Sequence, residues 1–131
     1  MKPVAYASVE FADVCLLQYL ERDETPYCIQ QGAVEGVWEK YNSNHGSVAP
    51  NPTPEGTDHD VIQAFSHWTH NVTDGKILVV DCQGVYDKSK NTFLLADPSI
   101  HCKDLTRFGG TNVSNIISYV GYYSRYIALC I

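Results

Sequence analysis

The sequence has no apolar run approaching the about 18 residues that a membrane-crossing helix needs. Its first residues lack the basic stretch and apolar core of a secretory leader. There is no C-x-x-C: the 5 cysteines, Cys15, Cys28, Cys82, Cys102 and Cys130, are widely spaced and odd in number, which argues against a disulfide framework. The expectation is a reduced protein of the cell interior, cytoplasmic. Basic charge is scarce, with 9 Lys and Arg against 15 Asp and Glu and a net charge of −6. That excludes a general nucleic-acid binder and leaves no polybasic patch for a membrane surface. Internal repeats and low-complexity tracts are absent. So is H-E-x-x-H; His67 and His70, three apart, are a weaker zinc-hydrolase pattern with no third ligand in place.

What remains is a 131-residue chain, one domain or part of one, with the 44% hydrophobic fraction of a globular protein. It is organised around residues 64–97. Residues 60–72 read as a helix, with Val61, Ile62, Phe65, Trp68 and Val72 on one apolar stripe, Thr57 or Asp58 as the cap and Asp74-Gly75 as the stop. Ile77-Leu78-Val79-Val80 after Lys76 suits a strand covered on both faces, and it runs into Asp81-Cys82-Gln83-Gly84. The two-residue spacing leaves the Asp81 carboxylate and the Gln83 amide on one side of the chain, and Gly84 permits a sharp turn. A second strand, Thr92 to Leu95, ends at Ala96-Asp97-Pro98. Two carboxylates and an amide oxygen at adjacent strand ends suit magnesium held against phosphates, although Asp, Gly and Asp-Pro are also ordinary turn formers.

Around this centre the chain is less decided. Residues 4–20 are rich in apolar and β-branched positions that do not settle strand against short helix. Residues 21–26 form a polar hairpin turn ending in proline, and residues 27–40 read as a strand with a glycine break. Residues 47–58, with Pro50, Pro52 and Pro54, form a connector. Residues 112–123 look helical.

Five segments carry a resemblance. Gly36 to Gly46 reads GVWEKYNSNHG, Ala64 to Thr69 AFSHWT, and Leu78 to Val85 LVVDCQGV. Ala96 to His101 reads ADPSIH and Phe108 to Val113 FGGTNV. In this order and spacing they resemble the C-terminal lobe of the alpha-kinases, atypical protein kinases that include myosin heavy chain kinases, the elongation-factor kinase and the channel-kinases. The resemblance covers about residues 27–126.

It implies an α+β kinase-like C-lobe, a small mixed or antiparallel sheet with two main helices, and no counterpart here of the N-lobe. It implies transfer of the ATP γ-phosphate to Ser or Thr hydroxyls of a protein, with magnesium. Gln31 falls where the family has an adenine-binding glutamate, and Lys40 on a lysine near the nucleotide. Asp81 falls beside the attacking hydroxyl, Gln83 and Asp97 on the magnesium ligands, and Gly109, Gly110 and Asn112 on the substrate side. His67 falls on a structural zinc ligand. The partner positions carry Tyr123, Arg125 and Leu129, with Cys130 one place out of register, so the zinc is expected to be lost. Further departures are Ala96, Tyr86 and Ser114. The alternative expectation is an inactive relic serving as a protein-binding module. Its apolar N-terminal edge would then support self-association or hold a partner chain.

Overall fold

The computed structural model describes residues 7–21, 26–49 and 58–108. The helix expected at 112–123, the substrate-side residues Gly109, Gly110 and Asn112, and the lost zinc positions lie outside these. The undecided N-terminal stretch resolves into two strands, β1 (Ser8–Phe11) and β2 (Val14–Gln18). They are followed by β3 (Tyr27–Gln31), β4 (Trp38–Lys40) and helix α1 (Asp58–Val72). Then come β5 (Ile77–Val80), β6 (Gln83–Asp87), β7 (Thr92–Ala96) and β8 (Ser99–Cys102).

The main sheet is mixed, in the order β1-β7-β6-β4. β1 runs parallel to β7, whereas β6 is antiparallel to both β7 and β4. β7 is paired on both edges, so its sequence TFLLA is apolar at almost every position instead of alternating. The glycine break at 32–36 is a change of sheet: β3 pairs with β2 in a separate hairpin, and β4 joins β6. β5 and β8 form a third, two-stranded sheet. Tyr41, Ile62, Cys82, Phe93 and Leu95 form the main core, with Tyr86 stacked on Phe93 and Tyr41 edge-on to it.

Two sequence expectations change. Gly84 does not turn the chain but lies inside β6, where a Cβ would collide with the Leu94 carbonyl oxygen and come within 2.9 Å of Leu95 Cα. The residue is small because β7 approaches closely. Only the first part of the apolar stripe of α1 is buried: Ile62 lies in the main core with Val61 and Phe65 packed against it. Trp68 and Val72 are 58% and 61% exposed, while His59, Gln63, Ser66, His67 and Thr69 are buried beside Ile62. The helix covers the open edge of β5 and the irregular backbone after β4, whose N–H and C=O groups need partners, so part of its inner face is polar. Thr69 Oγ1 accepts from Val79 N on the β5 edge at 3.1 Å, and Gln63 Nε2 donates to Tyr41 O. The helix stop is as expected, with Asp74 (φ 53°) and Gly75 (φ 69°) left-handed and Gly75 N donating to His70 O at 2.8 Å.

β5 is partly covered on its second face: Leu78 and Val80 are buried, Ile77 and Val79 half-buried. The β2–β3 hairpin is the opposite case. Leu16, Leu17 and Ile29 are 67%, 42% and 75% exposed, and Val14, Leu20 and Tyr27 are exposed with them.

Candidate active site

β5–β6 and β7–β8 behave as one long antiparallel pair bent at a corner. Val80 faces Ser99 before the bend and Gln83 faces Ala96 after it, so the register runs through unbroken. Two residues on each strand make the corner, Asp81-Cys82 and Asp97-Pro98. Both aspartates are left-handed, with φ 56° and 47°. That conformation is uncommon for residues other than glycine, and Asp is among the types that tolerate it. The acidic residues at the strand ends are therefore the hinge of the bend.

β4 brings the third component. Lys40 faces Gln83 across the β4–β6 ladder, and directly opposed residues share a face. The Lys40 ammonium lies 2.6 Å from Asp81 Oδ1. A row of Lys40, Gln83 and Ala96 thus crosses the sheet end, with Asp81 ion-paired at one side and exposed Asp97 just past Ala96.

A buried polar clamp lies behind this row. Tyr41 N donates to Cys82 O at 2.9 Å, and Cys82 N donates to Asn42 Oδ1 at 2.9 Å. Asn42 Nδ2 donates to Gln63 Oε1 (3.0 Å) and Ser66 Oγ (3.1 Å), and Gln63 Nε2 donates to Tyr41 O (3.1 Å). Each such bond contributes only about 1 kcal/mol net, but leaving a buried member unpaired costs about 1–3 kcal/mol. Burial pushes the Cys82 thiol up to about 12, against a smaller opposing effect of Ser66, so it stays protonated beside Asp81. His101 Nε2 donates to Asn44 O at 3.0 Å, tying β8 to the same 41–44 turn; burial is the main cause lowering its pKa.

The structure therefore brings together Lys40, Asp81 and Gln83, and sets Asp97 at the neighbouring strand end. Gln31 is not brought to them by any bond among the described residues; it ends β3, in the separate hairpin, opposite Val14. Asn42, Gln63 and Ser66 escaped the sequence reading. Asn42 sits in the GVWEKYNSNHG segment and reads as a turn former, while Gln63 and Ser66 read as polar residues on a helix, which look the same as a solvated face. His67 is buried and its Nδ1 lies 3.1 Å from Asn71 Nδ2; desolvation, then nearby His70, lowers its pKa. A cavity of about 660 Å³ lies at the far ends of β5 and β8, lined by Val72, Lys76, Cys102 and Arg107 among others, and contains none of the corner residues.

The donor set suits a hard divalent cation. Carboxylate and amide side chains stand at neighbouring, partly solvated strand ends, and a lysine beside them can meet phosphate oxygens. Among the described residues the nearest softer group, the Cys82 thiol, is buried and protonated.

The profile of the alpha-kinase family matches residues 2–116. The chain is 35% identical over 105 residues to alpha-protein kinase vwkA of Dictyostelium discoideum, covering 80% of this chain and 16% of that protein. It is 34% identical over 108 residues to the eukaryotic elongation factor 2 kinase of Rattus norvegicus, covering 80% and 13%. Among solved structures it is similar to the alpha-kinase domain of myosin heavy chain kinase A in complex with ADP. That match has 29% identity and a TM-score of 0.67, and covers 92% of this chain and 42% of that one. The inactive form of the same domain complexed with ATP matches with a TM-score of 0.64 at 27% identity. The chain thus spans under half of the kinase domain in the first of these structures and a smaller share of the curated relatives.

Proposed function

The chain belongs to the alpha-kinase family, and from that premise we propose that it supplies the catalytic corner of a serine/threonine protein kinase acting inside the cell. The observation that carries the reading is the convergence of Lys40, Asp81 and Gln83 at a bend whose other strand carries Asp97.

Each residue has a task in phosphoryl transfer, where positioning and charge neutralisation do most of the work. Asp81 orients the attacking Ser or Thr hydroxyl and takes up its proton. Gln83 and Asp97 hold magnesium, which when bound neutralises phosphate charge. Lys40 holds Asp81 in the resting protein and turns to a phosphate oxygen when nucleotide is present. Gln31 meets the adenine as a neutral donor and acceptor, and Gly109, Gly110 and Asn112 line the protein substrate. The zinc position at His67 serves here as a hydrogen-bonded part of α1.

Calorimetry of ATP binding by the purified chain, with and without magnesium and repeated on Asp97→Asn, tests this reading. Magnesium-dependent binding weakened by the substitution supports it. A folded sample that binds no nucleotide refutes catalysis by this chain alone.

One observation favours a second reading, a non-catalytic binding module. The β2–β3 hairpin exposes apolar side chains on both faces, and a lone two-stranded hairpin is marginal in water. In this reading the hairpin is covered by a second copy of the chain or by a partner chain.

A further inference from the structure

We infer that Asn42 is a positioning residue that holds Asp81 in its left-handed conformation. The functional importance of that hold rests on the kinase reading above; the hold on the backbone does not.

Asp81 occupies a backbone region that side chains other than glycine populate reluctantly, and it does so at φ 56°. Something must over-determine the bend. The residue before it, Val80, is fixed in the β5–β8 ladder, and Gln83 is fixed between Lys40 and Ala96. Only Cys82 remains, outside any strand, and both of its peptide groups are taken by residues 41 and 42. The carbonyl bond comes from the Tyr41 backbone and survives any substitution. The N–H bond comes from one side-chain oxygen, Asn42 Oδ1.

That oxygen has a single orientation. Asn42 is 1% exposed, and its Nδ2 satisfies Gln63 Oε1 and Ser66 Oγ, both acceptors on α1. A flipped amide would present N–H to N–H at Cys82 and oxygen to oxygen at Gln63. Aspartate at this position keeps the acceptor and loses both donors; alanine loses everything. The other corner needs no such residue, because Asp97 is followed by Pro98, which has no N–H to bind.

The test compares wild type, Asn42→Ala and Asn42→Asp as isotope-labelled full chains by NMR, reading Cys82 amide exchange and the Asp81 Cα and Cβ shifts that report backbone conformation. Magnesium-ATP affinity and phosphate transfer are measured on the same samples. In Asn42→Ala, Cys82 exchange is expected to rise on the order of 100-fold beyond any change at Val80, and the Asp81 shifts to leave the left-handed range. Phosphate transfer to a generic basic protein substrate is expected to fall about tenfold, with magnesium-ATP affinity unchanged within about twofold because Gln83 and Asp97 keep their strand-end positions. Asn42→Asp is expected to keep the Asp81 shifts. Should Asn42→Ala fail to fold, the near-isosteric Asn42→Leu, which fills the space without an acceptor for the Cys82 N–H, is expected to release Asp81 in the same way. Left-handed Asp81 shifts in Asn42→Ala, or their loss in Asn42→Asp as well, overturn the inference. If wild type binds no magnesium-ATP while Asn42→Ala still releases Asp81, the kinase reading fails and the positioning role stands.

Discussion

Lys40 Nζ stands 2.6 Å from Asp81 Oδ1, and that buried oxygen has no hydrogen bond of good geometry among the described residues. The lysine is therefore the carboxylate's neutralising partner across the β4–β6 ladder. Its side chain is half exposed, so the pair contributes less to stability than its short distance suggests. Its consequence is local: it fixes where the carboxylate points.

Lys40→Met is expected to lower unfolding stability by about 1–2 kcal/mol, because screening of the half-exposed ammonium is offset by the buried Asp81 oxygen left unpaired. Magnesium-dependent ATP affinity should fall about tenfold, because a charge-assisted contact to phosphate is lost along with the orientation of Asp81. Urea denaturation and calorimetry on one preparation read the two effects separately. A stability loss well beyond that range would show that the lysine is structural.

Gly84→Ala is expected to be severe. The new methyl meets backbone atoms of β7, the Leu94 carbonyl oxygen foremost, and backbone cannot step aside as a flexible side chain can. A loss of about 2–3 kcal/mol should appear in denaturant unfolding. A neutral result would mean that β6 and β7 separate easily.

Stability is expected to fall on both sides of neutrality. His67 and His101 have pKa values lowered mainly by burial, so they stay neutral in the fold while the unfolded chain takes up protons below its ordinary value of 6.5. More protons are then bound in the unfolded state, and stability drops as pH falls below 6.5 until the lowered folded values are passed. Cys82 acts at the other end. The unfolded thiol ionises near 9.0 and the folded one at about 12, so stability falls as pH rises between them, at most about 1.4 kcal/mol per unit. Melting temperatures at graded pH check both arms. Cys82→Ala should flatten the alkaline arm and leave the acid arm alone.

Ile29→Lys on the exposed hairpin is expected to leave the melting temperature within about 2 °C, since surface changes seldom exceed about 0.5 kcal/mol. If the hairpin is covered by a second copy, the same change should shift the sedimenting species from dimer to monomer. A monomeric wild type at micromolar concentration would rule out the second copy.

Much of this protein is legible in one dimension. The helix and its stop at Asp74-Gly75, the strands β5 and β7, and the acidic residues that end them follow from periodicity and turn chemistry, which are local properties. The order of five motifs is local too; it pointed to the family, and it offered Asp81, Gln83, Asp97 and Lys40 as candidates. What the sequence could not determine was which groups meet. Gly84 reads as a turn until β7 is seen pressing on it. Trp68 reads as core until α1 is seen to bury Gln63 and Ser66 instead. Asn42 reads as a turn former until its amide is found between α1 and the Cys82 peptide. Each of these depends on contacts between residues about 10 to 40 positions apart, and hydrogen-bond partners at that range are chosen by packing rather than by neighbours in the chain.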